Sequence, residues 1–454
     1  MEHLAASPES AGTTSACRSS TTAERIVACR IRAGETKWAA IAEEEFKPSN
    51  TRRINTSTSA ATFISFRSPA AWRLQLRNQS TYVWFPQAIP PGLGLAFEFM
   101  TQHAPHSPAL AVALDASCLL QLGQEDGHER MLMAGKRLYG HALQLQCREI
   151  AASPAHRIDG AIAAITVLQI CRFFTSMDGD GTSWRRHAQG MASLMQAREP
   201  IKDDNGFMSL VLANFRLFHF WNGLIARKRI DVLRSLHPSL PSAMDSAALS
   251  SIAERVPGLL EECDTTCGAP LHISPGRVDH VMEKLKGIER ELSAWAAQWT
   301  RNIRNPPYQL ALATCIRFVD STEIIFPFVL DFKTLSNALD QVTCSACLLA
   351  VRRAMLVLAP RAERDGQPPD SAKGRLAALV SISNCADSLC MSLPYLCKPE
   401  NGEYGAVSAA GPLYLATSWW EGRVGSEDSG KPVEKLAWCR DVAAYIQSVG
   451  IRTL

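Results

Sequence analysis

The sequence predicts an all-α protein, a large bundle of antiparallel helices behind a poorly ordered N-terminal segment. Three observations carry that expectation. From Ser107 onward, apolar residues recur at helical spacing in one stretch after another, with short polar breaks between them. Alternating β-branched runs of the kind that strands need are few. The composition, 46% hydrophobic and 20% charged over 454 residues, is that of a chain able to bury a large core.

Residues 1–92 come first. They are rich in Ser, Thr, Ala and Arg with little lasting periodicity, and are expected to be mostly disordered or poorly packed. Glu43, Glu44 and Glu45 argue against an organelle transit peptide, and MEHLAASPESAGTTSA lacks the basic start and apolar core of a secretory signal. Residues 93–454 read as one helical domain. Its expected helices are 108–122, 128–150, 157–175, 183–198, 207–233, 277–300, 308–328, 336–358, 374–396, 407–420 and 431–448. The breaks agree: GDGTS precedes one helix, Pro200 closes it, ISPGR at 273–277 opens another, and 359–374 is a polar loop. Residues 235–276, with their prolines, read as an irregular connection, and no internal repeat at a fixed period is visible.

Charge and apolar runs narrow the function classes. A net charge of +3, from 47 basic and 44 acidic residues, provides no field that would draw in DNA or an anionic membrane. The longest continuous apolar run, GAIAAITVLQIC at 160–171, is shorter than the roughly 20 residues a bilayer span needs. No membrane association is expected. Without an export signal the 14 cysteines are expected as reduced thiols, with Cys171, Cys315 and Cys385 inside apolar helical stretches. The glycosylation-type triplets at Asn55 and Asn78 then carry no meaning.

The stretch GTSWRRHAQGMASLMQAREP at 181–200 is the most pointed in the chain. Ser183 can cap a helix on which Trp184, His187, Ala188, Met191, Leu194 and Met195 share one face, expected to be buried. His187 has no Asp, Glu, Cys or second His three or four residues on, so it reads as a packed histidine and not as a metal ligand. Gly190 costs a helix about 1 kcal/mol against alanine, and its expected role is to let another helix come close.

Motifs of catalysis are missing. The sequence has no G-x-S-x-G, no Walker-type loop, no H-E-x-x-H and no dinucleotide fingerprint, so no enzyme activity and no cofactor are expected. Cys344 and Cys347 fall inside a helical run and read as core. Cys263 and Cys267, in ECDTTCG, read as loop thiols, with metal binding or oxidation as the functional alternative and no third ligand nearby. Glu289 and Glu291 read as part of a solvated charged face with Arg290 and Lys286. Phe215, Phe218 and Trp221 stand at helical spacing and are assigned to the core. The cations Arg227, Lys228 and Arg229 suit a helix C-terminus, with nuclear import or phosphate contact as the functional alternative.

A family resemblance rests on these residues. The pattern Trp184, His187, Gly190, Leu194, closed by Arg198 and Pro200, resembles the central motif of the fungal-specific transcription factor domain, the helical regulatory region of binuclear zinc-cluster factors. That family usually closes with Arg-Gly-Pro, whereas Glu199 stands here. Stretches 106–123, 136–150, 161–179, 281–299 and 388–420 resemble the same family in the same order, the last through Pro394, Tyr395, Pro412, Leu413, Tyr414 and Ala416. The likeness covers roughly residues 106–448.

The resemblance implies a nuclear transcription regulator whose partners are proteins of the transcription machinery or a small effector, with a homodimer as an option. The family's DNA reader needs six cysteines arranged as C-x2-C-x6-C, repeated once, around two zinc ions. Before residue 118 the chain has only Cys17 and Cys29, so no zinc cluster and no direct sequence-specific DNA binding are expected. Either the protein acts without its own reader, or a zinc-binding exon is missing from its gene model. Two further readings stay open: a helical scaffold with no role in transcription, and an all-α enzyme with an apolar pocket between helices.

Overall fold

The computed structural model of the chain describes residues 69–84, 100–125, 127–152, 159–174, 190–191, 193–194, 207–229, 247–268, 275–301, 306–313, 325–362, 371–425, 431–449 and 451. Among them are twelve α-helices and one two-stranded sheet, and 86% of the described residues are helical, which is the class expected from periodicity. By packing, the chain divides into Met1–Arg73 and Leu74–Leu454. Of the first unit only residues 69–73 are described, in the first turns of a helix; every other described residue belongs to the second unit.

The helices are α1 (Pro69–Trp84), α2 (Pro108–Glu125), α3 (Glu129–Ala152) and α4 (Asp159–Ile170), the last continued by a 3-10 turn at Cys171–Phe174. Then come α5 (Phe207–Ala226), α6 (Ala247–Ala253), α7 (Val256–Gly268) and α8 (Pro275–Thr300). Strands β1 (Tyr308–Leu312) and β2 (Phe328–Phe332) precede α9 (Leu335–Ala362), α10 (Ser371–Leu396), α11 (Gly402–Glu421) and α12 (Pro432–Ser448).

Helices α2 and α3 run antiparallel. In α2 and α3, a Cβ added to Gly135 would stand 2.7 Å from the Leu120 side chain, and one added to Gly123 would stand 2.9 Å from the Leu132 nitrogen. Those two glycines set how closely the pair approaches. Helix α9 is apolar around most of its circumference, with Ala338, Val342, Ala346, Cys347, Leu349, Val351 and Leu358 all fully covered. Such a helix needs partners on every side. It has α8, reached through Cys344 Sγ to the Leu292 carbonyl, and α10, reached through Gln341 and Ser345 to Ser388. By length and composition, residues 335–360 of α9 and 374–396 of α10 would suffice to cross a membrane, which counting continuous apolar runs does not reveal. Protein covers 61% of the α9 window and 39% of the α10 window.

Four stretches differ from the sequence expectation. Helix α1 lies in the stretch expected to be poorly packed, and it buries Leu76 and Ser80. The expected irregular connection contains α6 and α7: Leu249, Ala253, Val256, Leu260 and Cys263 make one buried stripe, and Pro257 sits in the first turn of α7, where its missing N–H costs nothing. Cys263 and Cys267 are therefore one helical turn apart and not in a loop. The helix expected at 308–328 is instead a hairpin in the described residues, with Tyr308 opposite Phe332 and Leu312 opposite Phe328. Pro306 and Pro307 before β1 and Pro327 before β2 disfavour helix there, and a mostly apolar run of five residues fits a strand as readily as a helix. Finally α5 stops at Ala226, short of the expected 233. Its end is a Schellman turn, with Arg227 N–H on the Leu224 carbonyl at 3.3 Å, Lys228 N–H on the Gly223 carbonyl at 3.0 Å, and Arg227 left-handed at φ 53°.

Candidate functional site

Of the motif residues that carry the family resemblance, Trp184, His187, Arg198 and Pro200 lie outside the described residues. Met191 is fully buried and Leu194 is 8% exposed, as the shared face requires. Gly190 is described, and among the described residues no atom lies within 4 Å of where its Cβ would stand. A comparable histidine is visible on α5: His219 is buried, and burial pushes its imidazole down to about 3, which keeps it neutral.

The basic trio is described in full. Arg227 forks onto Asp264 of α7 through Nε and Nη2 at 2.8 and 2.7 Å. Lys228 reaches Glu261 at 3.2 Å, and the Arg229 backbone N–H donates to the same carboxylate at 2.9 Å. Those contacts, the Arg229 N–H first, hold the Glu261 carboxyl below its ordinary range. The trio thus lies against α7, with the Lys228 side chain 68% exposed. Glu289 also departs from expectation: it leaves the charged face of α8 to pair with Arg352 of α9 at 2.7 Å, while Glu291 pairs with Arg255. On α5 the core face is Leu217, Phe220, Trp221 and Leu224. The side chains of Phe215 and Phe218 lie outside the described residues.

A buried polar cluster joins α1, α2 and α11. Asp115, Cys118 and Gln121 repeat every third residue along the mostly apolar α2 and meet Arg77 and Ser80, themselves three apart on α1. Arg77 donates to Asp115 Oδ1 through Nε at 3.1 Å and Nη2 at 2.8 Å, and to the Ala111 carbonyl at 3.1 Å. Ser80 Oγ donates to the Gln121 side-chain carbonyl, and Gln121 Nε2 donates to Glu403 Oε2 at 2.6 Å. A relay of side chains therefore runs from the first turn of α11 through α2 to α1.

Electrostatics make Glu403 the unusual member. Burial pushes its carboxyl up to about 8, the Glu125 carboxylate adds to the rise, and the Gln121 hydrogen bond opposes it. At neutral pH it is mostly a neutral acid. Cys118 beside the relay is pushed up to about 12 by burial and stays a thiol. The protonated Glu403 carboxyl can therefore join the relay without burying a charge of its own. Sequence reading missed it, though an aspartate and a glutamine within ALAVALDASCLLQLG are a visible signal that something polar must meet them.

Elsewhere, Cys344 and Cys347 are buried in α9. Among the described residues no three His, Cys, Asp or Glu side chains stand together as a metal centre requires. A shallow hollow of about 460 Å³ on α10 is lined by Leu376, Ala377, Val380, Ser381 and Asn384, none of them ionisable. Compared with known proteins, the chain matches no protein family, no curated protein and no solved structure.

Proposed function

We propose that the chain is a transcription-regulator-like protein, its helical body similar to the regulatory region of fungal zinc-cluster factors and working without a zinc cluster of its own. The observation that carries this reading is that the described stretches resembling the family fall on helices of one packed body. Residues 106–123 and 136–150 fall in α2 and α3, 161–170 in α4, 281–299 in α8, and 388–420 across α10 and α11. They share buried surfaces: Gln146 of α3 donates to the Ala161 carbonyl of α4, and Ser107 and the Ala109 N–H at the start of α2 donate to Glu149 of α3.

On this reading the protein is nuclear, binds protein partners or a small effector, and does not read DNA directly. The polar joint suits regulation. It fixes α1 to the body through groups that water or a partner can replace, whereas an apolar joint would have to be torn open. Fusing the whole chain to a foreign DNA-binding domain tests the proposal: reporter output that changes relative to the DNA-binding domain alone, together with nuclear accumulation of a fluorescent fusion, is expected. Neither would appear if the chain were a helical scaffold outside transcription, and specific, salt-resistant DNA binding by the purified chain would overturn the claim that it lacks a reader.

A further inference from the structure

The hairpin carries a feature that the regulatory reading does not use. Backbone bonds from Lys333 N–H to the Pro307 carbonyl and from Ala313 N–H to the Pro327 carbonyl fix which residues of β1 face β2. In an antiparallel ladder these alternate, so 307, 309, 311 and 313 bond inward, while Tyr308, Leu310 and Leu312 point their N–H and C=O groups away from β2. Among the described residues no third strand takes that edge. The side chains beside it are apolar and open, with Leu310 62%, Leu312 60% and Phe328 46% exposed. Edge strands are ordinarily blunted by charge, proline or a bulge, and YQLAL has none of these within it.

The order of residues selects the occupant. A twofold axis through Leu310 sets Leu310 against Leu310, and Tyr308 against Leu312 in both directions. All three positions are the outward-pointing kind, so each pair exchanges two bonds and the five-residue edge closes with six. Side chains directly opposite share a face, so Tyr308, Leu310 and Leu312 of two copies form one apolar strip continuous with Phe328, Leu330 and Phe332 of each β2. From Pro307 to Ala313 no charge meets a like charge. We propose that β1 is a strand-addition edge through which two copies of this chain pair antiparallel about Leu310.

Analytical ultracentrifugation of the full chain over a rising concentration series tests this. A reversible monomer–dimer equilibrium is expected, weak because a five-residue edge is a small interface. Leu310→Pro deletes the outward N–H at the dyad and leaves the β1–β2 ladder intact, and should raise the dissociation constant about tenfold or more. Leu310→Lys places two ammonium groups face to face at the dyad and should do at least as much; it decides the matter if the proline variant fails to fold by circular dichroism. A wild-type chain that stays monomeric at its highest soluble concentration overturns the proposal, as does a dimer that survives in a folded Leu310→Lys variant.

Discussion

The core around α9 to α12 and the joint beneath α1 are both buried, yet they are held by different physics. In the core, apolar and ring contacts predominate, with polar pairs such as Lys435–Asp387 among them. Trp221 of α5 lies so close to Gly411 of α11 that an added Cβ would stand 2.7 Å from the indole ring. Lys435 of α12 sits 4.4 Å from the Trp420 ring centre of α11 while pairing with Asp387 of α10 at 2.7 Å, and the Cys390 and Cys439 thiols approach to 3.8 Å. In the joint, Arg77, Asp115, Ser80, Gln121 and Glu403 do the equivalent work with hydrogen bonds and one ion pair. Apolar burial is indifferent to pH and unforgiving of lost volume. A polar joint tolerates changes of shape but depends on every partner and on protonation.

The largest effect should come from the core. Trp221→Ala removes a 7%-exposed indole from its seat on Gly411 and is expected to cost about 3–5 kcal/mol in urea unfolding, nearly unchanged from pH 5 to 9. Next is Arg77→Ala, which leaves the buried Asp115 carboxylate without its cation and should cost about 3 kcal/mol. The double change Arg77→Met with Asp115→Leu should recover most of that loss, since an apolar pair no longer buries a charge. A single and double variant equally destabilised would mean that packing, and not charge, holds α1.

Glu403 distinguishes the two regions by pH. Its folded pKa, about 8, lies above the ordinary 4.5, so the folded state holds the proton more tightly. The stability it contributes is complete below about pH 4.5 and is lost as pH rises through 8. A full shift corresponds to about 1.4 kcal/mol per unit, and relaxation around the ionised group should reduce the total to about 2 kcal/mol. Glu403→Gln imitates the protonated form. It should match the wild type at pH 5, exceed it at pH 9, and flatten the slope between, as read by thermal melts across that range.

Much of this fold was legible because burial writes a period into sequence. Helices α2, α3, α9 and α10 were visible in the spacing of Leu, Ala, Val and Cys, and their observed ends extend the expected ones by a few residues. The hairpin was not, because YQLAL and FVLDF are too short for alternation to outweigh helical spacing. Pro257 hid α7 by looking like a breaker when it is a first-turn residue. The joint was illegible for another reason. Ser80, Gln121 and Glu403 are brought together by three helices across 282 residues between the last two, and no local pattern encodes such a meeting. Only its half on α2, the polar residues in an apolar helix, could be noticed. Its partners could not.

The smallest effect on stability should come from the basic trio, and this makes it useful. Arg227 occupies the left-handed position that glycine fills at the end of α2, where Gly127 has φ 63° and closes the same kind of turn. Replacing Arg227 with Gly relieves a backbone cost of about 1 kcal/mol and forfeits an ion pair, one-third exposed on the arginine and about half exposed on Asp264, of the same order. The two nearly cancel. Lys228→Ala removes only a solvent-facing pair and should fall within about 0.5 kcal/mol. The combined variant Arg227→Gly, Lys228→Ala should therefore melt within a few degrees of the wild type. Any loss of nuclear accumulation it shows then reports on recognition of those cations and not on unfolding, whereas unchanged localisation in a folded variant would leave the trio as the cap that joins α5 to α7.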